Sequence, residues 1–302
     1  MRLKRALVTG ATGFIGSRLC RKLQETGWIV QCVVRDKSRD GGSVVGIPGV
    51  AFWHDGTTAG MARLVADARP DVVFHLASLY LAMHRQGDVE TLCRSNILLG
   101  TQLLDAMTAH RVPYFINTGT GFQHYRNADY NPLNLYAATK QAFQDMVTYY
   151  VEAHALRAVT LKLCDSYGPQ DPRPKIWKSL QETSGPLAMS PGRQKIDLVH
   201  VDDITDAYLV AAKRLMDGKV RGHEIFALSS GNFVTLRQLV ALYAEVTGKK
   251  LSVIWGGRPY RKREIMTPWR KGRRLPGWRP RIGLKQGFRA MNDSDKREIS
   301  SP

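Results

Sequence analysis

Near its start the chain reads Leu7-Val8-Thr9-Gly10-Ala11-Thr12-Gly13-Phe14-Ile15-Gly16, a short apolar run followed by glycines at every third position. The run predicts a strand and the residues after Gly13 predict a helix, so the glycines stand at a strand-to-helix turn. Gly10 permits the tight turn, Gly13 lets backbone N–H groups approach a pyrophosphate, and Gly16 permits close packing of helix on strand. The turn therefore predicts a dinucleotide site with contacts from Gly10, Thr12, Gly13, Phe14, Ile15 and Gly16.

Short apolar runs alternate with segments of helical length along the first half of the chain. Residues 6–9, 29–34, 50–53, 72–76 and 114–117 predict strands, and residues 14–26, 61–68, 91–110 and 135–153 predict helices. Such alternation is typical of a parallel sheet with helices on both faces. We therefore expect an α/β fold, a Rossmann-type doubly wound parallel sheet with a smaller, partly interleaved C-terminal substrate domain.

The second half is less regular. A strand is expected at 158–163, after which five prolines interrupt residues 169–192, and a strand at 196–201, a helix at 204–215 and a strand at 224–228 follow. We expect residues 1–168 to form the dinucleotide-binding domain, with 196–230 returning to it. Residues 169–195 and 231–302 would form the substrate domain, and the residues from about 292 onward are expected to be disordered.

The charge is strongly basic and unevenly spread. The chain has 44 Lys and Arg against 26 Asp and Glu, a net charge of +18, and residues 251–302 alone carry 14 basic and 4 acidic residues. Aromatic residues interleave with this charge, which is compatible with nucleic-acid binding, but no nucleic-acid module accompanies it. We therefore expect no nucleic-acid partner, and a field that attracts a phosphorylated small molecule instead.

Two classes of protein are disfavoured by what the chain lacks. No stretch approaches the roughly twenty apolar residues of a membrane span, so no membrane association is expected. The four cysteines, at 20, 32, 93 and 164, are scattered without paired Cys or His spacing. This pattern predicts free thiols in the cytoplasm and no metal site.

The residues after the second predicted strand bear on the choice of cofactor. The strand ends at Val34 and is followed by Arg35-Asp36. An acidic residue at this place binds the ribose 2′-OH of NAD, whereas a basic residue accommodates the 2′-phosphate of NADP. Arg35 favours NADP, and Asp36 leaves NAD open.

Tyr136 and Lys140 are four residues apart in a predicted helix, so their side chains share one face. A phenol with its ordinary pKa of about 10 is a poor acid at neutral pH. A fixed ammonium one turn away stabilises the phenolate and suits the tyrosine for proton transfer. With the glycine turn, the pair predicts an NAD(P)-dependent redox enzyme.

Further stretches accompany the turn and the pair, namely Asp55, Leu76-Ala77, Tyr167-Gly168-Pro169, Val199-His200-Val201-Asp202-Asp203 and Gly277-Trp278-Arg279-Pro280. With them the chain resembles the extended short-chain dehydrogenases/reductases, the NAD-dependent epimerase/dehydratase family, over almost its whole length. The resemblance implies that Tyr136 donates and accepts the proton and that Lys140 supports it and binds the nicotinamide ribose. A threonine at the end of the strand would be the third catalytic residue, with Thr120 preferred to Thr118.

The same resemblance implies more cofactor contacts, from Asp55, Gly56, Leu76, Ala77, Ser78, Asn96, Thr118 and Leu163. Two of these residues have an alternative role that involves no ligand. Asp55 also suits the N-terminal region of a helix, and Asn96 also suits a buried polar position in a helix.

The residues after Thr120 restrict the reaction. Dehydratases of this family carry an Asp-Glu pair there, whereas this chain has Gly121-Phe122-Gln123. Without those carboxylates, dehydration lacks its general acid and base. An epimerase that keeps NAD and a reductase that exchanges NADPH remain, and Arg35 favours the reductase.

Residues 117–125, 131–136, 161–167 and 175–177 are similar to CDP-3,6-dideoxyhexose synthases, 4-keto reductases of the abequose/paratose type. The similarity implies NADPH-dependent reduction of the C4 keto group of a nucleotide-activated, CDP-linked deoxyhexose. The family commonly has Arg and Asn where this chain has Lys162 and Asp165, which leaves the usual substrate contacts there open. We expect the nucleotide sugar to be bound by Gln123, His124, Asp165, Arg173, Lys175, Arg193 and Arg258.

The family resemblance also implies a homodimer formed through the helices at 91–110 and 136–153, although an apolar helix face serves equally as a core face. A third function class is a dinucleotide-binding sensor or interaction protein. Such relatives usually lose the Tyr/Lys pair, and its presence here favours an enzyme.

Overall fold

The apolar run before the glycine turn forms strand β1 (Arg5–Thr9), an inner strand of a seven-stranded sheet. The computed structural model describes residues 3–34, 49–173 and 175–299. The other strands of this sheet are β2 (Ile29–Val34), β3 (Val50–Trp53), β4 (Val72–His75), β5 (Tyr114–Thr120), β6 (Arg157–Leu163) and β11 (His223–Leu228). All are parallel, in the order β11-β6-β5-β4-β1-β2-β3.

Nine α-helices are present in the described part of the chain. They are α1 (Phe14–Glu25), α2 (Thr58–Ala68), α3 (Val89–Cys93), α4 (Leu99–Ala109), α5 (Leu135–Ala153), α6 (Ile176–Glu182), α7 (Val201–Met216), α8 (Leu236–Thr247) and α9 (Leu284–Ile299). A π-helical turn, Arg94–Leu98, joins α3 to α4. None of the described helices is long and apolar enough to cross a membrane.

Three pairs of short strands lie outside the main sheet. β7 (Asp165–Tyr167) pairs with β10 (Leu198–His200), β8 (Leu187–Met189) with β13 (Val253–Trp255), and β9 (Lys195–Ile196) with β12 (Val234–Thr235). Only the last pair is antiparallel. Each pair joins segments that are distant in sequence and so ties the second half of the chain together.

Side chains on the two faces of the sheet belong to two separate hydrophobic cores. In β1, Ala6 and Val8 pack on the side of α1 and α7, and Leu7 packs on the side of α2, α4 and α5. A third core contains Tyr167, Trp177, Leu239 and Phe288 from the second half of the chain. The sheet is therefore covered on both faces, and the predicted Rossmann-type α/β fold is confirmed. The division of the chain into domains at 168, 196 and 231 stays a prediction.

Several element boundaries differ from those predicted. Strand β5 continues to Thr120, so both candidate threonines lie within it, and the single strand expected at 196–201 is two short strands followed by a helix from Val201. The expected disorder from residue 292 is wrong as far as Ile299, because α9 extends to that residue. Buried Phe288 packs on Tyr167 and Tyr243 and holds this helix on the third core.

The strand order creates a binding crevice at the carboxyl ends of β1 and β4. The chain proceeds from β1 outward through β2 and β3, then returns to the other side of β1 with β4. In open parallel sheets ligands bind at such a reversal, beyond the carboxyl ends of the two strands. The glycine turn follows β1, and Leu76-Ala77-Ser78 follows β4, so both predicted cofactor segments lie at this crevice.

Candidate active site

The glycine turn lies directly against the loop after β4. Gly10 has φ +72°, and a Cβ atom there would lie 2.6 Å from the backbone nitrogen of Ala77. The backbone N–H of Ala77 in turn donates to Thr9 Oγ1 at 3.2 Å. A Cβ on Gly16 would overlap the carbonyl oxygen of Gly10, whereas at Gly13 the same oxygen would be 3.3 Å away. Gly10 and Gly16 are thus required by packing, whereas exposed Gly13 would accept a Cβ with a tight contact that a shift of a few tenths of an ångström relieves.

The start of α1 is suited to an anion. Its N-cap residue, Gly13, offers no capping side chain, and the first turn contains no acidic residue. The guanidinium of Arg173 lies 4.5 Å from the ring centre of Phe14, the first residue of the helix. Unpaired N–H groups at a helix N-terminus, with a cation beside them, fit the pyrophosphate of a dinucleotide.

Asn96 fastens the cofactor-side loop to the helix that carries Tyr136. It lies in the π-helical turn and is completely buried. Its Oδ1 accepts from the backbone N–H of Leu79 at 2.7 Å and from Ser78 Oγ at 3.3 Å, and its Nδ2 donates to Thr139 Oγ1 at 2.9 Å. The buried polar role considered for Asn96 is therefore the one observed.

Tyr136 is the second residue of α5 and is half-buried. The ring of Tyr80 meets it edge-on, with the ring centres 5.0 Å apart. Burial raises the pKa of the Tyr136 phenol to about 12, against the opposing effect of a hydrogen bond with Ser78. The expected lowering of this pKa by Lys140 is not found here, because desolvation of the phenol dominates.

Lys140 lies one turn further along α5 and is only 1% exposed. Its Nζ makes no hydrogen bond with any described residue. Burial lowers the pKa of this ammonium to about 8. A buried lysine without a partner is costly, so this nitrogen marks a place where a polar ligand group would be stabilised. The ribose expected from the family resemblance is a group of this kind.

The two candidate threonines share a face of β5 but differ in their hydrogen bonds. Thr118 Oγ1 donates to the carbonyl of His75 at 2.7 Å and is 2.6 Å from the hydroxyl of Tyr208. Thr120 Oγ1 accepts from the backbone N–H of Phe122 at 3.2 Å and donates to no described residue. Only Thr120 therefore has a hydroxyl proton free for a substrate oxygen, which supports the preference for it.

Gln123 and His124 are engaged inside the protein. Gln123 is completely buried, and its amide accepts from the Thr120 N–H at 3.0 Å and donates to Gln141 Oε1 at 2.7 Å. His124 Nε2 is 2.9 Å from Lys162 Nζ, and its ring stacks on Trp269 with the centres 3.8 Å apart. Both residues thus have a structural role in this turn, and the substrate contact expected of them stays a prediction.

Charged residues gather beside Tyr80 at the mouth of the site. Lys175 Nζ is 2.7 Å from Asp165 Oδ1. Arg173 pairs with Asp171 at 2.6 Å and also donates to Ser166 Oγ at 3.0 Å. Of the residues predicted to bind the nucleotide sugar, Asp165, Arg173 and Lys175 are thus brought close to one another.

The remaining predicted residues are more scattered. Arg193 and Arg258 are exposed on separate loops, and their roles stay predictions. The Asp55 carboxylate accepts from the backbone N–H and the hydroxyl of Thr57 at the start of α2, as its alternative role requires. The carbonyl oxygen of Gly56 accepts a hydrogen bond from Gln102 Nε2. Leu163 is buried in register with Thr120. Arg35 lies outside the described residues.

No motif in the sequence predicted that Tyr80, Arg263 or Trp269 belongs to the site. Tyr80 touches Tyr136 and approaches Phe122, with ring centres 6.3 Å apart. In the sequence, only the closeness of Tyr80 to Leu76-Ala77 indicated that it lies near the site. Arg263 and Trp269 come from the aromatic and basic run of the C-terminal part and reach the loop after Thr120, at Asn131 and His124 respectively.

Comparison with known proteins decides the family. A model of the NAD dependent epimerase/dehydratase family matches residues 6–225. The chain belongs to this family. The resemblance inferred from the sequence is confirmed, as is the class of enzyme, an NAD(P)-dependent oxidoreductase of the extended short-chain dehydrogenase/reductase type.

Individual members of the family resemble the chain over nearly its full length. It is 26% identical to CDP-abequose synthase of Salmonella typhimurium (strain LT2), covering 94% of this chain and 96% of the relative. It is 25% identical to UDP-glucose 4-epimerase of Mycolicibacterium smegmatis, again over 94% of this chain and 96% of the relative. The solved structure of UDP-glucose 4-epimerase from Thermotoga maritima with UDP-glucose superposes with a TM-score of 0.83 at 23% identity, covering 98% of this chain and all of that one. A CDP-abequose synthase and a UDP-glucose 4-epimerase are thus about equally similar to this chain.

Proposed function

We propose that this protein reduces the C4 keto group of a nucleotide-activated deoxyhexose, with NADPH as the hydride source and CDP as the nucleotide. The observation that carries the proposal is the Tyr136/Lys140 pair, with its unpaired buried Nζ, beside a threonine turn that has no carboxylates. Such a site can transfer a proton to an oxygen atom but lacks the acid and base that dehydration requires. Similarity to CDP-abequose synthase supports the choice of nucleotide.

The residues of the chain have distinct tasks in this reaction. Tyr136, whose raised pKa keeps the phenol protonated at neutral pH, donates a proton to the oxygen of the ketone. Thr120 donates a hydrogen bond to the same oxygen and stabilises the negative charge that develops on it. Lys140 holds the ribose next to the nicotinamide, and the nicotinamide supplies the hydride when it is bound. Gly10, Gly13 and Gly16 hold the pyrophosphate at the start of α1.

A nucleotide-sugar epimerase with tightly held NAD is the second candidate. It is favoured by the 25% identity to UDP-glucose 4-epimerase, close to the 26% identity to CDP-abequose synthase, and by the family's NAD dependence. Arg35 favours NADPH and thereby the reductase, and its contribution rests on the sequence alone.

The test is the oxidation of NADPH in the presence of a CDP-4-keto-deoxyhexose. We expect turnover by the unaltered chain and a loss of about 100-fold or more in Tyr136→Phe, because the general acid is removed. Circular dichroism and binding of NADPH by the variant serve as controls for folding and for the cofactor site. Full turnover by Tyr136→Phe would contradict the mechanism, and copurified NAD with interconversion of UDP-sugars would establish the epimerase instead.

We also propose how the molecule is organised and where it works. Residues 1–168 with 196–230 would bind the cofactor, and 169–195 with 231–302 the sugar. The four free cysteines suit the reducing cytoplasm. A homodimer would form through the outer faces of α4 and α5, which pack side by side. Leu98, the last residue of the π-helical turn before α4, and Tyr149 of α5 are exposed.

A further inference from the structure

Residues 261–274, here named the basic strap, lie across the loop that connects the two catalytic elements. Arg263 makes the most contacts. Its guanidinium donates to Asn131 Oδ1 at 2.6 Å, to the carbonyl of Pro132 at 2.9 Å and to the carbonyl of Leu133 at 3.1 Å. It also lies 4.2 Å from the ring centre of Tyr125. Arg263 thus contacts both the first part of the loop, at Tyr125, and its last part, at residues 131–133.

The loop in question is short and closed at its base. It begins directly after Thr120 and ends at Asn134, whose Oδ1 caps α5 by accepting from the N–H of Ala137. Its two ends pair through backbone bonds from Leu133 to Phe122 at 2.8 Å and from Asn131 to Gln123 at 2.9 Å. A displacement of the loop therefore moves the ends that carry Thr120 and Tyr136 relative to each other.

A second attachment lies next to Thr120. Trp269 stacks on His124 at 3.8 Å with the rings nearly parallel, and Lys162 Nζ lies 5.5 Å from the Trp269 ring centre. Lys162 reaches His124 by passing over Gly119, where a Cβ atom would lie 2.9 Å from Lys162 Cγ. The residue before the catalytic threonine is thus a glycine that leaves room for this lysine.

The far end of the strap is fixed to the sheet. The backbone N–H of Ala227 in β11 donates to the carbonyl of Arg273 at 2.8 Å, and Arg273 lies over the ring of Phe226 at 4.5 Å. Between these anchors, the backbone N–H of Arg270 donates to Asn127 Oδ1 at 2.9 Å. The strap is therefore held at one end by the sheet and holds the loop with the other.

We propose that Arg263 and Trp269 are positioning residues, and that the basic strap sets the separation of Thr120 and Tyr136. The proposal rests on the proposed function, in which these two side chains act on one substrate oxygen. A single oxygen can accept from both donors only if their separation is held within a few tenths of an ångström, since misplacement by about 1 Å can reduce the rate 100-fold. Neither positioning residue needs to touch the substrate.

The test compares Arg263→Gln with Lys262→Gln, which removes the same charge from the next residue. Lys262 is exposed and forms no hydrogen bond or ion pair with the described residues. Trp269→Ala is compared likewise with Trp269→Phe, which keeps an aromatic ring against His124. The measurements are kcat, the KM values for NADPH and sugar, and hydrogen–deuterium exchange in peptides that span 121–136.

We expect kcat to fall about 10- to 100-fold in Arg263→Gln and Trp269→Ala, with little change in the KM for NADPH. Exchange in 121–136 should rise in both, and Lys262→Gln and Trp269→Phe should behave like the unaltered chain. Equal kcat in Arg263→Gln and Lys262→Gln would overturn the proposal. If the unaltered chain reduces no CDP-4-keto sugar, the proposed function fails, and exchange then decides about the strap: unchanged exchange in Arg263→Gln overturns it and raised exchange supports it.

Discussion

At the scale of single residues, Lys140 is the group of the candidate site whose protonation depends most directly on a bound ligand. Its pKa is lowered to about 8 by burial alone, and no described residue offsets the loss of hydration. Lys162 has a pKa lowered to the same value, but its Nζ is bonded to His124. A bound cofactor would therefore shift the pKa of Lys140 more than that of Lys162, because Lys140 Nζ has no hydrogen-bond partner among the described residues and Lys162 Nζ is already bonded to His124.

Cofactor binding is expected to take up a proton above pH 8. Hydroxyl groups of the ribose would stabilise the ammonium and raise its pKa above the value of about 8 in the free protein. The complex then keeps a proton that the free protein has lost, so affinity falls as the pH rises from about 8. Calorimetry at pH 8.5 in two buffers of different ionisation enthalpy measures the uptake. Lys140→Met should abolish it and Lys162→Met should not; the same uptake in Lys140→Met would refute the assignment.

At the scale of elements, two glycines of the turn after β1 have different tasks. Gly16 permits α1 to pack on the turn, and Gly13 is expected to approach the pyrophosphate. Gly16 is closed in by the Gly10 carbonyl, whereas Gly13 has no atom nearer than 3.3 Å to the place of a Cβ. We expect Gly16→Ala to destabilise the fold by roughly 1–3 kcal/mol through overpacking. Gly13→Ala should melt close to the unaltered chain but lose the rise in Tm that NADPH gives, because its methyl group occupies the space of the pyrophosphate. Thermal melts with and without NADPH distinguish the two, and an equal ligand shift in Gly13→Ala would place the pyrophosphate elsewhere.

The elements that the sequence predicted are those with a local pattern. The strands and helices of the sheet have regular periodicity, and the glycine turn and Tyr136/Lys140 follow from spacing along one strand, turn or helix. β9 and β12 are two residues each and exist through partners 38 and 40 residues away. Disorder was expected from about residue 292, but α9 continues to Ile299, and its earlier residues Phe288 and Met291 are buried in the third core. The contacts of Arg263 and Trp269 were unpredictable for the same reason, since they depend on how distant segments meet.

At the scale of the whole molecule, the basic C-terminal part has an internal use. Its charge suggested either a nucleic acid or a phosphorylated small molecule as partner. In the structure, Arg263 donates hydrogen bonds to loop carbonyls, and Arg273 lies 3.8 Å from Glu224 in β11. Part of the net charge of +18 thus supports the active-site loop, and the remainder is available as a field for an anionic substrate.

The proposed dimer makes the last prediction at this scale. Leu98, at the end of the π-helical turn before α4, is 42% exposed, and Tyr149 of α5 is 59% exposed. The π-helical turn and α4 both pack on α5, so both exposed residues belong to the helices proposed for the interface. In a two-fold dimer each such residue meets the same surface of its partner, so one substitution places two buried charges in the interface. Tyr149→Glu should therefore sediment as a monomer, whereas Ile254→Glu, at a 52% exposed position of β13, should remain dimeric. Sedimentation velocity at micromolar concentration measures this, and a monomeric unaltered chain would rule the dimer out.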